Sequence, residues 1–119
     1  MSWKRNKGSW IIMKRYGSVI GVQSEKLAEY KKLHAAVWPE VLAMIKQCNI
    51  RNYSIYYRDG LLFSYFEYTG KDYETDMAKM AADPMTQKWW DACKPCQKPL
   101  ETRAEGEWWA TAEEVFHCD

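Results

Sequence analysis

The chain contains two histidines, and one of them, His34, stands between Tyr30 and Trp38 at intervals of four residues. On a helix such residues share a face, so the three side chains project together toward whatever that face covers. An imidazole, with an ordinary pKa of about 6.5, is the side chain best suited to giving and taking protons at neutral pH. Ring opening of a pyranose needs that service. A proton must reach the ring oxygen while another leaves the anomeric hydroxyl, and reclosure on either face of the aldehyde gives either anomer. Tyr30 suits two tasks there, holding a sugar hydroxyl or acting as the second proton carrier. Spacing alone favours a plainer role for His34, a core histidine satisfied by a carbonyl or a tyrosine. Its aromatic company tilts the balance toward chemistry.

Trp89-Trp90 is the next feature. Adjacent residues on a helix point about 100° apart, so the two indoles cannot fill one core pocket, and one can be core while the other is a pocket wall. An indole face suits the apolar C–H surface of a sugar, above all one bearing a methyl group. Two tryptophans packed at a dimer interface fit the sequence equally well.

Other candidates are set aside on physical grounds. Cys93-Lys-Pro-Cys96 resembles a redox dithiol, but such a site places its first cysteine at a helix N-terminus, whereas this one follows a helix. Zinc on Cys93, Cys96, His117 and Cys118 has acceptable donors but no second pair at finger spacing, so no metal is expected. Met44, Met77, Met80 and Met85 are taken as gap-fillers in a core. No cofactor is implied.

The elements that must position these groups follow from periodicity. Tyr16 to Val22 is consistent with a first strand. Ser24 is a candidate N-cap, after which Leu27, Tyr30, His34, Val37, Trp38, Val41 and Ile45 mark an amphipathic helix that Pro39 should interrupt and restart. Ile50 to Tyr57 and Leu61 to Tyr68 form two strands joined by the turn pair Asp59-Gly60. Helical stretches begin near Asp72 and again at Asp83-Pro84, the second running through Trp89-Trp90. Lys94 to Leu100 is expected to be a loop, and Glu114 to Cys118 a closing strand. The order β-α-β-β-α-β is that of a ferredoxin-like split βαβ unit, an α+β fold with an antiparallel sheet and helices on one face. Aromatics on both faces of the central strands imply cover by a second copy, a homodimer formed through sheet packing. Residues 1–12 show no periodicity and are expected to be a mobile extension, with Met13 an alternative start; residues 13–119 form the single expected domain.

Composition narrows the classes. Seventeen Lys and Arg against sixteen Asp and Glu give a net charge of +1, which supplies no field for gripping nucleic acid. No segment approaches the ~18 apolar residues of a membrane span, and the basic N-terminus leads into too few apolar residues for a signal peptide. A cytoplasmic location is expected, with the four cysteines reduced. Seven Trp and eight Tyr exceed the needs of a core this small, so some should line a pocket for a hydroxylated ligand.

Several runs carry a resemblance: Glu29-Tyr30 followed by His34, Val37-Trp-Pro-Glu-Val41, Asn52-Tyr-Ser-Ile-Tyr56, Leu61-Leu-Phe63, Asp83-Pro84 with Trp89-Trp90, and Glu114-Val-Phe-His117. Together they resemble the L-rhamnose mutarotase family over about residues 13 to 118. The resemblance implies a dimeric ferredoxin-like α+β barrel and a cofactor-free aldose 1-epimerase. It implies His34 as proton donor, with Tyr30, Tyr53, Trp89 and Trp90 contacting the sugar. The extension before Met13 and the segment Glu107-Trp-Trp-Ala110 depart from the pattern, leaving substrate more open than reaction. L-fucose is an alternative substrate. A cofactor-independent monooxygenase or haem-degrading protein of this fold, and a non-catalytic sugar-binding module, are the rival functions.

Overall fold

The computed structural model describes residues 2–6 and 9–119, with side chains from Met13 onward. Strands β1 (Ser2–Asn6), β2 (Ser9–Val22), β3 (Ile50–Arg58), β4 (Leu61–Tyr68), β5 (Gln97–Lys98) and β6 (Ala110–Ala112) alternate with helices α1 (Leu27–Ala35), α2 (Pro39–Gln47), α3 (Tyr73–Ala82) and α4 (Pro84–Cys93). β5 and β6 pair with one stretch of β2, which pairs in turn with β4, and β4 pairs with β3, every ladder being antiparallel. With β5 and β6 as the closing strand, this is the α+β, ferredoxin-like arrangement expected from the element order.

The sheet has two unlike faces. Ile20, Val22 and Leu62 point to the helices and build the core with Tyr30, Val41, Trp89, Cys93 and Cys96. The alternate residues Val19, Phe63 and Tyr56 fall opposite one another on the other face, because paired residues share a side.

Local chemistry explains most boundaries. Asp59 and Gly60 take φ values of 50° and 82°, the doubly positive pattern of a tight hairpin turn between Arg58 and Leu61. Pro39 opens α2 at its first position, where a missing N–H costs nothing. Asp72 and Asp83 cap α3 and α4, their carboxylates accepting from Thr75 N at 3.1 Å and Thr86 N at 2.9 Å. Gly21 is required by close approach, since a Cβ there would lie 2.6 Å from the Lys98 carbonyl oxygen on β5.

Four expectations are corrected. The closing edge is not Glu114 to Cys118 but β5 and β6, and residues 113–119 are exposed and outside any strand. Val-Phe has strand propensity, but propensity expresses fit to a half-buried surface, and among the described residues Val115 and Phe116 are exposed. That tail is held instead by a bidentate pair, Arg15 Nε and Nη2 to the two Glu114 carboxylate oxygens at 2.6 and 3.2 Å. Lys94 to Leu100 is not all loop, since Gln97–Lys98 joins the sheet edge beside Gly21 and Val22. Ser24 does not cap α1: a short 3-10 turn over Ser24–Lys26 precedes the helix, and no side chain caps either segment. Finally, Ser2–Asn6 pairs with Ser9–Met13, so the aperiodic N-terminal stretch is strand where described. That pairing lies on the part of β2 before Lys14, where the ladder with β4 begins. The expectation of mobility concerns in part Met1, Lys7 and Gly8, which lie outside the described residues.

Candidate active site

A cavity of about 410 Å³ opens between the helices and the inner face of the sheet, and its walls include His34, Tyr30, Tyr53, Trp89 and Trp90. All five site residues expected from the sequence thus share one space. That volume falls in the range of small-molecule sites.

His34 and Tyr30 come from successive turns of α1, and their rings stack at 4.1 Å between centroids. The edge of Trp89 meets the imidazole at 5.1 Å, and Trp38 in turn packs edge-on against Trp89 at 5.2 Å. His34 Nδ1 lies 2.9 Å from the Tyr30 carbonyl oxygen. A carbonyl only accepts, so Nδ1 carries a hydrogen and, in the neutral ring, Nε2 is left as the acceptor. Burial lowers the His34 pKa from its ordinary value and outweighs the opposing effect of the carbonyl, so the neutral ring prevails at pH 7. Burial moves the Tyr30 phenol the other way, well above the ordinary tyrosine range. The pair is therefore a proton acceptor beside a hydroxyl that keeps its proton.

Tyr53 reaches the cavity by a bulge. Arg51 pairs with Glu67 and Ser54 with Tyr65, so Asn52 and Tyr53 together oppose the single residue Phe66. The inserted residue switches the inward-facing set from even to odd numbers, which brings Tyr53 and Ile55 in and packs Tyr53 against Phe66 at 5.4 Å. Asn52 absorbs the kink at φ 50° and donates from Nδ2 to Glu67 Oε1 at 2.6 Å.

Trp89 is buried in the core while still walling the cavity, and Trp90 is half-buried along its side. Lys94 Nζ sits 5.9 Å from the Trp90 ring centroid and 5.4 Å from that of Trp108. The sheet contributes polar groups that periodicity did not single out. Ser18 and Ser64 share a hydrogen bond at 2.7 Å on the cavity floor. Gln97 is 7% exposed, and its Oε1 accepts from the Trp108 indole at 2.7 Å. An aromatic cavity with a few fixed hydroxyl and amide groups suits a small polyol whose C–H surface is apolar.

A family model described as L-rhamnose mutarotase matches residues 15–118. The chain belongs to the L-rhamnose mutarotase family. The L-rhamnose mutarotase of Oceanobacillus iheyensis is 37% identical over 115 residues, spanning 90% of this chain and all of that one. Among solved structures, an L-rhamnose mutarotase from Formosa agariphila superposes with a TM-score of 0.68 at 21% identity, covering 89% of this chain and 99% of that chain. Tetracenomycin F2 cyclase from Streptomyces glaucescens gives 0.67 at 11% identity, over 89% and 97% of the two chains. These two likenesses establish a shared fold, and the second illustrates that the fold hosts unlike chemistry.

Tyr30, Tyr53, Trp89 and Trp90 were legible as motifs; Ser18, Ser64, Gln97 and Trp108 were not. Alternation along Tyr16, Ser18, Ile20 and Val22 was the available signal for Ser18. For Gln97 there was none, because β5 is two residues long. The Cys93 and Cys96 thiols are both buried, and burial pushes Cys93 up to about 12, which opposes thiolate chemistry. Cys96 Sγ donates to Glu29 Oε2 at 3.3 Å, which gives that thiol a structural task.

Proposed function

We propose that the protein is an aldose 1-epimerase that interconverts the α and β anomers of L-rhamnose by acid–base ring opening, with His34 as the base. Family membership supports the reaction class, and the relatives' names support the sugar. The observation that carries the mechanism is the His34 Nδ1 contact with the Tyr30 carbonyl, which leaves Nε2 as acceptor beside the cavity and next to the Tyr30 phenol.

In this mechanism Nε2 takes the proton of the anomeric hydroxyl as the bond from C1 to the ring oxygen breaks. The bonding pair stays on the ring oxygen, which takes the Tyr30 proton. An alkoxide is a strong base, so a phenol with a raised pKa holds its proton until that charge develops. Rotation about C1–C2 turns the other face of the aldehyde toward the hydroxyl. Reclosure returns one proton to Tyr30 and the other from the imidazolium to O1. No covalent intermediate is required. Tyr53, Trp89 and Trp90 enclose the sugar, the indoles against its C–H surface and methyl group.

We also propose a homodimer joined through the outer sheet face, where Tyr56 and Phe63 are 66% and 39% exposed.

The catalytic assignment is tested by NMR saturation transfer between L-rhamnose anomers. His34→Ala should slow exchange by about 10²-fold or more, the usual worth of acid–base help. Exchange at the wild-type rate would remove His34 from the chemistry. Running L-fucose and D-glucose in the same series separates substrate preference from reaction class.

A further inference from the structure

We propose that Gln97 and Trp108 form a positioning pair that aims the Tyr30 hydroxyl proton into the cavity. The inference rests on the mutarotase reading and deepens it, by giving a task to the tryptophan-rich segment that the family motifs did not absorb.

An indole N–H can only donate. Trp108 Nε1 lies 2.7 Å from one polar atom of the Gln97 side chain, so that atom must be the amide oxygen. The orientation of the whole amide is thereby fixed, and its NH2 group is the one that faces Tyr30, with Nε2 3.5 Å from the phenol oxygen. This distance is at the long limit of a hydrogen bond, yet its direction is decisive. Gln97 offers Tyr30 a donor and no acceptor, so the phenol oxygen accepts and its own hydrogen is left for another partner. The cavity that both residues line is where such a partner would lie.

The placement of both residues is built into the fold. Gln97 is held in the ladder opposite Val22, on the inner face of the sheet, and is buried. Trp108 lies just ahead of β6 in a turn closed by Glu107, whose carboxylate accepts from Ala104 N at 3.0 Å and Thr111 Oγ1 at 2.5 Å. Lys94 lies over the Trp108 ring at 5.4 Å and braces it from the side of α4. A half-exposed tryptophan in a loop is thus connected through one buried amide to the phenol beside His34.

Two substitutions test the direction of this relay by anomer exchange. Trp108→Phe keeps a ring but removes the N–H, which frees the Gln97 amide to turn its oxygen toward Tyr30 and capture the phenol hydrogen. A fall in kcat of about 3–10-fold with little change in KM is expected, the rate equivalent of one misdirected hydrogen bond. Gln97→Glu is nearly isosteric and still accepts from Trp108, but as a carboxylate it draws the Tyr30 hydrogen onto itself. Its kcat should fall by about 10–100-fold at pH 8. The ratio to wild type at equal pH should recover as pH falls, because the introduced carboxyl group, once protonated, donates again. His34, Tyr30, Tyr53, Cys93 and Lys94 also line the cavity, and the ratio removes whatever pH dependence the two proteins have in common.

In a Tyr30→Phe background both substitutions should have no further effect on kcat. Wild-type rates in both variants would overturn the proposal, as would losses that are independent of pH and persist without the phenol. A wild-type protein that fails to speed exchange would instead sink the mutarotase reading. The Tyr30 13Cζ resonance then still decides the positioning: it should move in Trp108→Phe, and an unmoved resonance would refute the relay. Since Trp108 is 37% exposed, that variant should fold even where a buried carboxyl at the Gln97 position does not.

Discussion

At the scale of single residues, the decisive property of His34 is which nitrogen is free and when. The Tyr30 carbonyl holds Nδ1, and burial lowers the pKa. A base works only while deprotonated, so with His34 in its proposed role activity should be present above the folded-state pKa and lost as pH falls through it. Because that pKa lies below the ordinary 6.5, the acid limb of the kcat/KM profile should have its midpoint below 6.5. A midpoint above 6.5, measured by anomer exchange, would mean that the free site stabilises the imidazolium, and activity lost as pH rises through the His34 pKa would mean that His34 works first as an acid. The same depression bears on stability with the same sign. The unfolded chain takes up a proton near its ordinary pKa while the folded chain resists, so this contribution is complete above that value and is lost as pH falls through the folded pKa. His34→Asn, which has no such titration, should show a shallower loss of stability with acid in urea unfolding followed across that window.

At the scale of elements, one inserted residue decides what β3 presents to the site. Asn52 occupies a left-handed conformation that costs a β-branched residue about 1–2 kcal/mol, and its amide ties the bulge to Glu67. Asn52→Val should therefore destabilise the fold by about 2–3 kcal/mol in urea unfolding and raise KM, because the strain is released by moving Tyr53. Asn52→Gly keeps the backbone conformation, loses only the tie and should cost about 1 kcal/mol. Equal stability of the two variants would show that the bulge does not depend on this residue. The example marks what sequence could reveal. Helix starts at Pro39, Asp72 and Asp83 and the Asp59-Gly60 turn were legible, because each rests on a local rule of φ, capping or a missing N–H. Alternation over Tyr53, Ile55 and Tyr57 was also legible, but not the bulge that decides which way it faces. β5 and β6 escaped altogether, since two- and three-residue strands at an edge carry no period and are defined by their partner, β2.

At the scale of the whole molecule, the two sheet faces have different needs. The inner face is covered by helices and holds the cavity, whereas the outer face presents Tyr56 paired with Phe63 and Phe63's other neighbour Val19. The tail that carries the exposed Val115 and Phe116 is fixed to that same side through Arg15 and Glu114. Uncovered aromatic and aliphatic groups on adjacent strands are costly in water, and a two-fold related copy buries the same set from both chains at once. Among the described residues no helix is long and apolar enough to cross a membrane. Sedimentation equilibrium should accordingly return twice the 14.1 kDa chain mass for the wild type. Phe63→Glu places a charge at the centre of the patch, where burial without a partner is costly, and should shift the mass to that of one chain. The cavity opens on the opposite face of the sheet, so a monomer that stays folded should keep anomer exchange within about threefold of wild type, a change of well under 1 kcal/mol. A Phe63→Glu protein that still sediments as a dimer would place the contact elsewhere, and a wild type that sediments as one chain would show that the outer face is covered by no second copy.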